Sequence, residues 1–122
     1  IFGDLLLRLE GLETTSNQQS VEEIVQAIPK GLILIFAGVI GPIFEEGIFR
    51  VGIQAFFKPA SKIGILVSSI LFALVHTPTD IGSFIIYWGM GLALSWVYLR
   101  TGRFEAAVLT HFIWNVLGIL ML

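Results

Sequence analysis

The 122-residue sequence contains no cysteine and few charges. Without cysteine there is no disulfide framework, no thiolate nucleophile and no zinc ribbon, and the redox compartment leaves no mark. Charged residues make up 13% of the chain, against roughly 25% in an average soluble domain. A soluble domain this small leaves much of its surface in water and cannot cover that surface with so little charge. Seven Lys and Arg stand against nine Asp and Glu, with no basic stripe, which argues against nucleic acid as a partner. No Gly-x-Ser-x-Gly elbow occurs, so a covalent serine mechanism has little support. The zinc-binding run His-Glu-x-x-His is also missing.

Apolar residues are abundant instead, 56% of the chain, with a mean hydropathy of +0.90. That excess excludes disorder and leaves a polytopic membrane protein. The β-branched residues do not alternate with polar ones and the apolar runs are too long for strands, so the reading is an all-α membrane bundle of about four helices. Residues 1–10 read as the end of an upstream helix, and Gly11–Ser20 as a loop rich in Thr, Ser, Asn and Gln. Ser20 and Glu23 form a capping box that predicts a helix from Val21, and Pro29 predicts a kink or break. Four apolar segments follow: Gly31–Phe57, Ile63–His76, Ile81–Leu99 and Phe104–Leu122. A membrane helix needs about 20 apolar residues. The first exceeds that length, the third and fourth fit it, and the second needs Pro59–Lys62 as its first turn. The sequence opens at Ile1 without an initiator Met and is still apolar at Leu122, so it reads as one membrane domain, residues 1–122, excerpted from a longer protein.

Short links join these segments and force antiparallel neighbours. Residues 58–62 and 100–103 carry two basic residues each, whereas 77–80 carries none and has Asp80. The positive-inside rule places 58–62 and 100–103 in the cytoplasm, with Glu22 and Glu23 on the far side.

Glu45, Glu46, Arg50, His76, His111 and Asn115 sit inside the apolar runs. Each costs at least a few kcal/mol in hydrocarbon, so a functional cavity is their expected address; a purely structural ion pair is the plainer alternative. At roughly 1.5 Å per residue, Glu45 lies ~18 Å and His76 ~20 Å from the cytoplasmic helix ends, with His111 at ~10 Å and Asn115 at ~17 Å. Three helices therefore deliver polar groups to a shared layer. Glu46 and Arg50 are spaced i,i+4 for an ion pair, as His111 and Asn115 are for reaching a common cavity. Glu45 is rotated about 100° from Glu46, which leaves it without that partner and suits it to acid–base work. Glu, two His and Asn can activate a water, move its proton and donate to an oxyanion. Two His and one Glu (Glu45, His76, His111) could alternatively hold zinc, although the ligands come from three helices.

Glu45-Glu46-Gly47-Ile48-Phe49-Arg50 resembles the Glu-Glu-x-x-x-Arg motif of the CPBP family, the CAAX proteases and bacteriocin-processing enzymes also called the Abi family. Phe72-Ala73-Leu74-Val75-His76 looks like that family's Phe-x-x-x-His, and His111-Phe112-Ile113-Trp114-Asn115 like its His-x-x-x-Asn/Asp/Ser. The resemblance covers about residues 31–122 and departs at Val51, where the family often has Gly directly after the Arg. It implies a catalytic core that acts as a glutamate-dependent intramembrane endopeptidase without a cofactor. Its substrate would be a membrane-associated peptide or prenylated protein, cut in CAAX-type processing or in bacteriocin or peptide maturation. In that resemblance Glu45 and His76 activate water, His111 and Asn115 stabilise the oxyanion, and Glu46, Arg50 and Phe72 support them. Two other classes use the same residues: a transporter or proton relay, and a non-catalytic bacteriocin immunity protein.

The other small and aromatic residues have plainer readings. Ser68, Ser69, Ser83 and Ser95, with Gly38, Gly41, Gly89 and Gly91, read as close-packing positions. Tyr87, Trp88, Trp96 and Tyr98 read as interfacial anchors or packing groups. Pro42 reads as a loosening of the first long helix that opens backbone groups toward a cavity.

Overall fold

A computed structural model describes residues 2–58 and 61–121. They form six helices: α1 Phe2–Leu9, α2 Ser16–Ala27, α3 Lys30–Ile53, α4 Lys62–Val75, α5 Ile81–Thr101 and α6 Phe104–Leu120. No strand occurs among the described residues, and the chain is an all-α membrane bundle. Two helices, α3 with 24 residues and α5 with 21, are long and apolar enough to span a bilayer. α4 and α6 are shorter apolar helices, of 14 and 17 residues. α4 begins at Lys62 and Ser61 is its extended cap, its Oγ accepting from Gly64 N, rather than part of a first turn as expected; Pro59, Ala60 and Leu122 lie outside the described residues.

Local signals set most helix ends. Asp80 caps α5, its carboxylate accepting from Ser83 N at 2.6 Å and Ser83 Oγ at 2.7 Å. Glu10 adds a second carboxylate there, accepting from Ile81 N and Gly82 N at 3.1 Å each. These acceptors satisfy N–H groups that the first helical turn leaves open. Gly102 closes α5 at φ 65°, the left-handed position that glycine adopts at little cost. Pro29 separates α2 from α3: Ile28 before it is extended (φ −126°, ψ 142°), as a residue preceding proline must be.

The α2 start differs from the capping-box expectation. The helix begins at Ser16, with Thr15 Oγ1 accepting from Gln18 N at 3.1 Å, so part of the expected loop is helical. The reason is tertiary, because Thr15 Oγ1 also meets Tyr87 Oη at 3.0 Å, which anchors the turn one helical turn earlier.

α3 contains two π-helical stretches, Leu34–Ile40 and Gly47–Ile53. Such wide turns are rare and concentrate at functional sites. α5 packs against α1, α3, α4 and α6. The buried core joins Phe49 of α3, Phe72 of α4, and Met90 and Leu94 of α5. Gly91 lets α5 close on α4, since a Cβ there would stand 3.0 Å from Ser69 Cα. The four serines are buried. Ser68 Oγ donates to Phe49 O at 2.6 Å and Trp88 Nε1 donates to Ser69 Oγ at 3.1 Å. Gly89 has no neighbour that a Cβ would meet, so it is not a packing contact as expected. The bundle exterior is apolar, with Phe36, Ile48, Leu74 and Leu117 all more than half exposed.

Candidate active site

Three helices bring the polar residues of the candidate site together. Glu45, Glu46 and Arg50 come from α3, Phe72 and His76 from the end of α4, and His111 and Asn115 from α6. Glu46 and Arg50 form the i,i+4 pair, with Nε 3.0 Å from Oε2 and both side chains fully buried. The Arg50 guanidinium also lies 4.8 Å above the Phe72 ring, a cation–π contact. His111 joins this pair from another helix: its Nδ1 donates to Glu46 Oε1 at 2.8 Å. Sequence spacing gave no sign of that bond, which couples the two motifs directly.

Glu45 does not stand alone. Its Oε2 lies 3.7 Å from His76 Nε2 and 3.6 Å from His111 Nε2, beyond direct hydrogen-bond distance. The far sides of both rings fix what those nitrogens carry. His76 Nδ1 is 2.8 Å from the Phe72 carbonyl, an acceptor only, so Nδ1 holds the proton. His111 Nδ1 holds its proton toward Glu46. In neutral rings both Nε2 atoms are therefore bare acceptors turned toward a carboxylate oxygen. Three acceptors facing one another repel unless a proton or a donor stands among them.

His76 is the C-cap of α4, and Thr77 after it sits at φ 48°. A β-branched residue in the left-handed region costs of order 1–3 kcal/mol, strain that collects at functional sites. The His76 ring is held from below by Phe72, with centroids 4.6 Å apart, and stacked on Tyr87 at 4.3 Å and 15°. Tyr87 was expected only as an anchor or packing group. Its hydroxyl accepts from Asn17 Nδ2 at 3.2 Å, which fastens α2 over the site. A tyrosine within an apolar helix carries no local signal of that role.

A cavity of about 540 Å³ opens above Glu45, lined among others by His76, Tyr87, Asn115, Ala37 and, from α2, Asn17 and Gln18. Asn115 Nδ2 donates to Ala37 O at 2.8 Å. Among the described residues no group of three His, Asp or Glu is placed to hold a metal ion.

The model of one protein family, type II CAAX prenyl endopeptidase Rce1-like, matches residues 27–117. The chain belongs to that family. The Rce1-like match spans all seven site residues. Among relatives, the UPF0177 protein YvdC of Lactococcus lactis subsp. lactis is 35% identical over 111 residues, 88% of this chain and 41% of that protein. YdiL of Bacillus subtilis, named as a candidate membrane peptidase, is 31% identical over 88% of this chain and 43% of its own length. The membrane-embedded CAAX protease MroQ of Staphylococcus aureus is 31% identical over 86% of this chain and 44% of its own. The chain thus spans less than half the length of these relatives. No solved structure matches it. Rce1-like membership and the two long apolar helices together make this a membrane protein.

Proposed function

We propose that residues 1–122 form the catalytic core of an intramembrane endopeptidase that hydrolyses a peptide bond with a water activated by Glu45 and His76. The observation that carries this reading is the convergence of Glu45 Oε2, His76 Nε2 and His111 Nε2 within 3.7 Å. Such a set of acceptors suits a donor, and water is the smallest with two hydrogens to share.

In this mechanism the water hydrogen-bonds to Glu45 and His76. Its oxygen attacks the scissile carbonyl carbon while Glu45 takes its proton. Charge moves to the carbonyl oxygen, where the free N–H of Asn115 donates. Glu46, held by Arg50 at 3.0 Å, anchors His111 Nδ1 at 2.8 Å and so keeps that ring's Nε2 turned toward Glu45. Collapse of the tetrahedral intermediate breaks the C–N bond, and the proton held by Glu45 passes to the leaving amine. The relatives' names support a peptide or prenylated protein of the membrane as substrate. The alternating link charges support a multi-pass arrangement with 58–62 and 100–103 in the cytoplasm.

The test is cleavage of a quenched fluorescent prenylated peptide by the protein in lipid vesicles. Glu45→Gln keeps the shape but accepts no proton and abolishes cleavage, as does His76→Ala. Asn115→Ala leaves a residual rate, lower by about 10²–10³. Chelators leave the rate unchanged; a loss would contradict a water activated by Glu45 and His76 alone. Proton flux through the vesicles with the peptide intact would point to a relay, and protection of the host cell by Glu45→Ala to an immunity role. Full cleavage by Glu45→Gln refutes the proposal.

A further inference from the structure

In a π-helical turn each carbonyl accepts from the N–H five residues on. The first wide stretch of α3 follows this rule, and Gly41 N donates to Phe36 O. The next bond in the series would join residue 42 to Ala37 O. Residue 42 is proline, which has no N–H. The α-helical alternative for Ala37 O is the N–H of Gly41, already committed to Phe36. Ala37 O is thus left with no donor from its own helix, a costly state for a carbonyl away from water. Asn115 of α6 supplies the donor from Nδ2 at 2.8 Å. Both residues line the cavity above Glu45.

We infer that Pro42 is a positioning residue: by withholding a backbone N–H it frees the Ala37 carbonyl to hold the Asn115 amide in place over the catalytic cavity. A carbonyl only accepts, so the Asn115 nitrogen must face it and the amide cannot flip. One of its two N–H bonds is committed to Ala37, which fixes the plane in which the second points. Preorganised donors act on a developing oxyanion because they need no reorientation during reaction. Replacing Pro42 with any other residue restores a competing donor. In the π register that donor is the new N–H at 42. If the turn relaxes to α, it is Gly41 N. The kinetic consequence rests on the peptidase reading, whereas the bond exchange at Ala37 does not.

The experiment compares wild type, Pro42→Ala, Asn115→Ala and the double variant in the full protein in lipid vesicles, with two readouts. The first is steady-state cleavage of the quenched prenylated peptide. Pro42→Ala lowers kcat by about 10²-fold, toward the Asn115→Ala value, with KM within about twofold, and the double variant is no slower than Asn115→Ala. The second readout is the Ala37 carbonyl itself. Ala37–Gly38 is the single Ala–Gly pair in this sequence, so ¹³C-carbonyl alanine with ¹⁵N-glycine isolates its resonance. That resonance moves on Asn115→Ala in the Pro42 protein and stays still on Asn115→Ala in the Pro42→Ala protein. The inference is overturned if Pro42→Ala keeps the wild-type kcat, if the two losses multiply, or if Asn115→Ala moves the carbonyl resonance equally in both backgrounds. Should wild type itself cleave nothing, the peptidase reading fails, and the carbonyl resonance alone still decides the role of Pro42.

Discussion

Arg50→Met removes the cation of the buried pair and keeps a long unbranched chain against Phe72. In the native protein Arg50 Nε stands 3.0 Å from Glu46 Oε2, with both side chains at 0% exposure. After the change Glu46 keeps one donor, His111 Nδ1 at 2.8 Å, for a full negative charge. Removing one member of a buried pair costs about 3–5 kcal/mol, so the folded fraction relative to unfolded falls by about 10²–10⁴. Glu46→Gln strands the guanidinium and costs a similar amount. The double variant carries no buried charge, and the amide oxygen introduced by Glu46→Gln still accepts from His111. The loss in the double variant is therefore well below the sum of the two single losses, by at least ~2 kcal/mol. Unfolding of purified protein in mixed micelles with increasing SDS, followed by tryptophan fluorescence, measures all four corners of this cycle. Losses that add within ~0.5 kcal/mol would refute the reasoning, because independent sites add to that tolerance.

Three further outcomes follow from the same geometry. Gly91→Val pushes a branched side chain against the Ser69 backbone, where even a Cβ stands 3.0 Å away, and lowers stability by about 1–3 kcal/mol; an unchanged SDS midpoint contradicts this. Tyr87→Phe keeps the stack on His76 and most of the activity but loses the Thr15 and Asn17 bonds, so limited proteolysis cuts more readily near α2. Tyr87→Leu loses the stack, worth about 0.5–1.5 kcal/mol, and kcat drops by roughly 2- to 10-fold; equal rates for Tyr87→Phe and Tyr87→Leu would remove Tyr87 from the site. Single cysteines at Lys58 and Gly102, introduced into a sequence that has none, are labelled by an impermeant thiol reagent from the cytoplasmic side, and one at Thr79 from the other. Labelling of Lys58 and Gly102 from opposite faces contradicts the topology.

The helices from α3 to α6 were legible because apolar length and short polar links set them, and neither depends on tertiary contacts. The charged members of the candidate site drew notice in the sequence because ionisable groups in hydrocarbon need a reason to be there. Their bonding was only half legible. Glu46 with Arg50 lies within one helix and obeys a spacing rule, whereas His111 on Glu46 is 65 residues away and obeys none. The Ser20 capping box was a valid local signal that lost to Thr15, whose hydroxyl gains Tyr87 as well as its own helix. The π-helical stretches have no periodic signature; Pro42 marked loosening there but not the partner that its missing N–H admits.

The wide turns of α3 also change how this helix tolerates alterations of length. A π turn takes up one residue more than the α turn it replaces, so the segments on either side keep the rotational phase of a helix one residue shorter. Deleting a residue elsewhere in α3 would swing everything beyond it by about 100° and carry Glu45 away from the histidines. Deleting Val39 instead lets 34–40 relax to an ordinary helix with Glu45 and Glu46 still facing their partners. α3 thus has two built-in places where its chain length can drift by one while the bundle stays in register, and comparisons of related chains by residue spacing across α3 must allow for that offset.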